Sequence, residues 1–268
     1  MKNYISFLAA LLLVSCEAIP ETEFTDRPVV CCYLSSGETP VLTIQKLIPF
    51  QSDAVFSSEE VDKLDITITD LTSGTEYQLA SLGDGSYGNE SLTAQSGHEY
   101  RLDFVYDDVP VTASATVPSE PQDVAFSSTS IEVMSFAPPA MTKAPKDGIE
   151  ITWKNDDGDY YIVEGKTTSS STIRDIEDDE DMPAKSFKLS YTQGNSATLA
   201  SSDFNYYGYY QISVIHICQE YAVLSQGGST SSATLVDVKG NIDGGYGVFT
   251  GISRVTKTIS VSRGSSPF

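Results

Sequence analysis

Basic residues are scarce in this 268-residue chain, with 16 lysines and arginines against 37 aspartates and glutamates and a formal charge of −21. Such a surface repels phosphate backbones and anionic headgroups, which argues against nucleic-acid partners and against electrostatic docking on lipid. Histidine is almost missing, with His98 and His216 alone. His98 begins HEYRL without the second histidine of a metalloprotease helix, and His216 sits inside the apolar run VIHIC as a core residue. No G-x-S-x-G elbow and no Ser-His-Asp arrangement occurs, and no stretch singles out two carboxylates as a glycosidase pair. No apolar run reaches the length of about 18 residues that a membrane-spanning helix needs. Helical periodicity never lasts beyond one or two turns, and nothing repeats at a fixed period. These absences leave a non-enzymatic reading, without cofactor or metal.

What is present begins at the N-terminus. Lys2 precedes an apolar stretch, Ile5 to Val14, broken only by Ser6. It is too short to span a bilayer and fits a secretory signal. The stretch ends Leu13-Val14-Ser15-Cys16, which matches the bacterial lipobox, in which the cysteine is acylated and becomes the new N-terminus. Residues 1–15 are therefore expected to be a lipoprotein signal peptide, Cys16 the palmitate-bearing anchor, and residues 16–27 a polar tether. Cys31, Cys32 and Cys218 remain, an odd number that cannot pair completely within the chain. In a strand, Cys31 and Cys32 point to opposite faces, so at most one meets Cys218 in a core. The spacing fits neither a redox motif nor a structural zinc site, and buried small hydrophobes are the expected role.

Past the tether, Tyr, Phe, Thr and Val dominate short alternating runs, a β-rich pattern. The expected strands are Pro28–Ser35, Val41–Pro49, Leu64–Leu71, Glu76–Leu82, Glu99–Tyr106 and Pro110–Val117. Ser57-Ser58-Glu59-Glu60 signals one short helix. Pro118-Ser119-Glu120-Pro121 then interrupts the alternation as a hinge. A second series follows, with runs at Val124–Phe136, a hairpin over Ile149–Gly165 turning at Asp157-Gly158, Tyr209–Ile217, Gly247–Ile252 and Val255–Ser262. The fold class is all-β, with two β-sandwich domains at 28–118 and 119–268 meeting near Pro118–Pro121. The first core should use Val30, Leu42, Ile66, Ile68, Leu102 and Phe104. The second should centre on Trp153, faced by Tyr161, Ile212 and Val214.

Three stretches imitate chemical motifs. Gly83-Asp84-Gly85-Ser86-Tyr87-Gly88 spells G-x-G-x-x-G, but no helix follows to meet a pyrophosphate, so the glycines read as hairpin turn residues. Asn155 to Asp159 offers oxygen ligands but lacks the distal Glu of a calcium loop. Asp175–Asp181, with six carboxylates in seven residues, reads as an exposed loop. One stretch offers recognition chemistry: Asp203 to Tyr210 carries Tyr206, Tyr207 and Tyr209 as candidate aromatics to stack on a sugar or grip a peptide. Alternation turns about half of that run inward, and a tyrosine near a strand start often ties a corner.

The chain resembles a family of Bacteroidota outer-membrane lipoproteins, domain of unknown function 4249. The residues that carry the likeness are Cys16-Glu17, GDGSYG with SGHEYRLDF, ITWKNDDGDYYIVE with YYQISVIHI, and the close NIDGGYGVFTGIS (241–253). The resemblance implies an Ig-like or prealbumin-like N-terminal sandwich and a fibronectin type III-like C-terminal one. It also implies a cell-envelope role beside TonB-dependent outer-membrane receptors, and it transfers no catalytic residue. The expectation is a lipid-anchored binding or accessory protein on the cell surface or the periplasmic face, assisting uptake of a nutrient. A structural or adhesive pilus-like subunit is the alternative, with a hydrolase third.

Overall fold

The structure, a computed structural model, describes residues 26–46, 58–133, 148–173, 182–222 and 240–264. Alternating apolar and polar residues bury one face and wet the other, so these segments settle as mainly antiparallel sheets packed face to face. The first half carries β1 (Pro28–Ser35), β2 (Val41–Lys46), a 3₁₀ helix (Ser58–Lys63), β3 (Thr67–Asp70), β4 (Thr75–Gln78), β5 (Ala80–Gly83), β6 (Ser86–Gly88), β7 (Glu99–Tyr106) and β8 (Val109–Thr116). The second carries β9 (Gln122–Phe126), β10 (Ser130–Val133), β11 (Ile149–Lys154), β12 (Tyr160–Thr167), β13 (Ser186–Lys188), β14 (Ser196–Leu199), β15 (Gly208–Ile217) and β16 (Tyr246–Arg263). The fold is an all-β sandwich. The signal peptide, the tether through residue 25 and the acidic run Asp175–Asp181 lie outside the described residues.

The described residues form three sheets. A large one runs β13-β12-β15-β16-β1-β2-β6-β5, with β10 also pairing β16. A four-stranded sheet, β4-β3-β7-β8, covers its first part, and a three-stranded sheet, β14-β11-β9, covers its second. All six residues expected in the first core lie there, including Val30, Ile66 and Leu102 at 0% exposure. Trp153, 3% exposed, stands in the second core at 5.3 Å from the Tyr161 ring, with Ile212 and Val214 also buried there.

Two expectations need correction. The Ile149–Gly165 stretch is not a hairpin, because β11 pairs with β9 and β14 while β12 pairs with β13 and β15. Asn155 makes the turn a corner between sheets. Its Nδ2 donates to the carbonyls of Asp159 (3.0 Å) and Gln193 (2.9 Å), and its Oδ1 accepts the Asp159 N–H at 2.9 Å. Glu76–Leu82, expected as one strand, breaks at Leu79 and also changes sheet. Leu79 is buried and its N–H reaches the Ile66 carbonyl, so β4 stays on the small sheet and β5 joins the large one.

Pro118–Pro121 carries no strand, yet the large sheet crosses between the halves through β16. This strand pairs in parallel with β1 over Tyr246–Ile252, antiparallel with β15 over Ile252–Val261, and in parallel with β10 at its end. Ile242 and Phe249, which lie well past residue 119, belong to the first core. The NIDGGYGVFTGIS close is the structural key to this return. Asn241 clamps the start of β16 by donating to the Ser114 and Phe249 carbonyls and accepting the Phe249 N–H. A Cβ on Gly251 would stand 2.2 Å from the Thr116 carbonyl oxygen, and one on Gly247 (φ +104°) 1.9 Å from that of Val30. Only glycine lets backbone approach backbone this closely.

Candidate functional site

The outward face of the large sheet is the surface on which the fold gathers polar chemistry. Residues directly opposite in an antiparallel pair share a face. Register therefore sets Lys188, Glu164, Ser213 and Thr256 in one row across β13, β12, β15 and β16. A neighbouring row holds Ser186, Lys166, Gln211 and Thr258. On the other side the rows turn apolar, with Ile162 and Ile215 ending at Arg254, then Tyr160, Ile217 and Ile252. At the usual strand spacing a four-strand row is about 14 Å wide, and successive rows lie about 7 Å apart.

The two polar rows, without Thr258, line a groove of about 770 Å³ together with Arg254, and Glu38 borders it from the first half. Its groups hold one another in place. Ser213 Oγ and Thr256 Oγ1 are hydrogen-bonded at 2.8 Å. Lys188 Nζ donates to the Tyr221 hydroxyl at 2.8 Å, lies 4.8 Å over that ring, and stands 3.9 Å from Glu164. Arg254 Nη2 donates to Ser35 Oγ at 3.2 Å and is 3.8 Å from Glu38. A smaller pocket of about 170 Å³ shares Glu164 and Arg254 with the groove and has an isoleucine floor. Tyr33 and Tyr221 wall it edge to face at 5.5 Å. Burial, with the Cys31 thiol nearby, pushes the Tyr33 phenol upward, so it stays protonated at neutral pH. The face thus offers carboxylate, amide, hydroxyl, ammonium and guanidinium groups side by side: chemistry for recognition by hydrogen bonds.

The structure separates the three candidate tyrosines. Tyr206 is wholly buried, with its hydroxyl donating to the Pro183 carbonyl at 2.7 Å, so it presents no surface to a ligand. Tyr207 is half-buried under Arg263 and points its hydroxyl to the Val133 carbonyl. Tyr209 is 75% exposed and stands on the same outward face as Gln211. Tyr210 ties the corner, because its hydroxyl accepts the backbone N–H groups of Asn205 (3.3 Å) and Tyr206 (3.1 Å). Cys16 lies outside the described residues.

The remaining motif residues are structural. Gly83 to Gly88 forms the β5–β6 turn and strand. Asp156 pairs with Lys154 at 3.0 Å, and no cluster among the described residues has the composition of a metal site. Cys31, Cys32 and Cys218 are free thiols, and burial raises the last two. His216 stacks on Tyr161, with Nδ1 donating to the Ser119 carbonyl at 2.8 Å and Nε2 3.2 Å from Asp159. His98 pairs with Asp70 at 2.8 Å. Sequence reasoning missed the groove. Its signal was the polar partner in each alternation, Glu164 and Lys166 in YYIVEGK and Gln211 and Ser213 in YYQISVIHI.

The family model described as Domain of unknown function (DUF4249) matches residues 17–258 of the chain. No curated protein matches it.

Proposed function

We propose that this chain, which belongs to the family described as Domain of unknown function (DUF4249), is a lipid-anchored, non-enzymatic binding or accessory protein of the outer membrane. It assists a TonB-dependent receptor in taking up a nutrient. The observation that carries the binding role is the outward face of the large sheet. Its polar side chains, among them the hydrogen-bonded pair Ser213–Thr256 and the ion pairs Lys188–Glu164 and Arg254–Glu38, line a groove that both halves border, an arrangement suited to holding a polar ligand. The anchor is supported by the lipobox ending at Cys16, and the family match begins one residue later.

Replacing Cys16 with Ala abolishes incorporation of labelled palmitate and moves the protein out of the membrane fraction. A variant that stays labelled and membrane-bound disproves the anchor. Affinity isolation from native membranes with the unaltered chain recovers an outer-membrane receptor. Recovery of ordered polymers of the chain itself instead overturns the accessory role in favour of a structural subunit.

A further inference from the structure

The groove and the exposed tyrosine beside it define a ligand class. We infer that the outward face of β12, β13, β15 and β16 binds an uncharged oligosaccharide, laid across the strands and flanked by the Tyr209 ring. This deepens the binding role proposed above and rests on it.

Charge selects among the candidate occupants. The groove carries the cations Lys166, Lys188 and Arg254 and the carboxylates Glu38 and Glu164, a near balance within a chain of charge −21. A polyanion meets a repulsive field on approach and finds no continuous track of cations on arrival. A polycation finds only two carboxylates, each with a cation within 4 Å. An uncharged ligand suffers neither cost. It must still satisfy a dense set of donors and acceptors, and a polyhydroxyl chain does so. Each sugar hydroxyl both donates and accepts, as do Ser213 and Thr256, while Glu164 accepts, Lys166 donates and the Gln211 amide does both.

Geometry agrees with this. The four groups Lys188, Glu164, Ser213 and Thr256 stand in register at the strand spacing, which is close to the length of one pyranose unit in an extended glycan. Tyr209 lies two residues from Gln211 on the same face, about 7 Å along β15. At 75% exposure its ring is free to stack on the apolar face of a pyranose.

The test uses the detergent-solubilised full-length chain and isothermal titration with three probes: uncharged hexasaccharides of the gluco-, manno- and xylo-series, polygalacturonate fragments, and a poly-glutamate peptide. At least one uncharged series binds. Tyr209→Ala and Gln211→Ala each weaken that binding about tenfold, a loss of the size expected for one stacked ring or one amide contact. Both side chains are on the surface, so the variants keep the parent circular dichroism, and Val105→Ala, on a distant exposed site, leaves binding unchanged. Binding of the polygalacturonate or the peptide alone overturns the assignment, as does saccharide binding that ignores both substitutions. Failure of all three probes overturns it too. None of these outcomes touches the anchor or the receptor, which are read by palmitate and affinity isolation.

Discussion

Asp70 shows how a single side chain couples this fold to pH. It is 2% exposed and accepts the backbone N–H groups of Thr72 (3.0 Å) and Ser73 (3.1 Å) and the His98 ring Nδ1 at 2.8 Å. Burial by itself pushes a carboxyl up, but these hydrogen bonds outweigh burial and hold Asp70 below the ordinary carboxylate value. A carboxylate held low contributes stability that is present above its unfolded value, about 3.9, and is lost as pH falls through the folded value. Asp70→Asn is therefore expected to cost about 1–3 kcal/mol at neutral pH, because it removes the charge from the hydrogen bonds that hold a buried side chain. It should also flatten the fall in stability below about pH 4. Urea denaturation across pH 3 to 7 measures both, and a variant that keeps the parent acid slope contradicts this assignment. At the same scale, Tyr100 and Tyr210 perform one task in the two halves. The Tyr100 hydroxyl accepts the Gln95 N–H at 2.9 Å, five residues upstream, as Tyr210 does with Asn205.

Among the elements, β16 carries most of the architecture. Its first part must lie against the end of β8 and alongside β1, and the glycines of the C-terminal motif make that possible. Gly251→Ala would place a Cβ 2.2 Å from the Thr116 carbonyl oxygen and 2.5 Å from the Val117 Cα, both backbone atoms that no rotamer change can move. The expected cost is about 3 kcal/mol or more, at the upper end of overpacking effects. Gly97→Ala is no equivalent control, since its backbone φ is +80°; Ser114→Ala, at an exposed site, should change little. Chemical denaturation of the two variants reads the difference, and equal midpoints would show that β16 is not clamped there. Much of this level was legible beforehand: β1 and β7 occupy the very residues that alternation picked out. Alternation fixes which side chains share a face, so it found both cores and Trp153. It does not fix which strand lies beside which. Asp157-Gly158 is as good a corner as a hairpin turn, and only the Asn155 bracket and the partners of β11 decide between them. For the same reason the groove was invisible. Glu164, Ser213, Thr256 and Lys188 are distant in sequence, and pairing register alone makes them a row.

As a whole molecule the chain is two sandwiches stitched by one sheet, and the connecting segment is held as a strut. Three carbonyls at the junction each meet a side chain on or just beyond β15 or β16. Cys218 Sγ reaches the Thr116 carbonyl at 3.3 Å, Ser253 Oγ donates to Pro118 at 2.6 Å, and His216 Nδ1 donates to Ser119 at 2.8 Å. Ser253 is fully buried. A hinge would leave these groups to water, and the shared strand would have to break its pairing with β1 or β15 before the halves could separate. The halves are therefore expected to unfold together. Trp153, the one tryptophan, reports only on the second core, which makes the test direct. Leu102→Ala empties a fully buried site in the first core, remote in sequence from Trp153, and should cost about 2–5 kcal/mol. If the halves are coupled, the urea midpoint of Trp153 fluorescence falls by the same amount as that of far-ultraviolet circular dichroism. If they are independent, the tryptophan midpoint stays at its parent value while circular dichroism splits into two transitions. Adding Ser253→Ala, which removes one pin from the strut, should begin to separate the two midpoints.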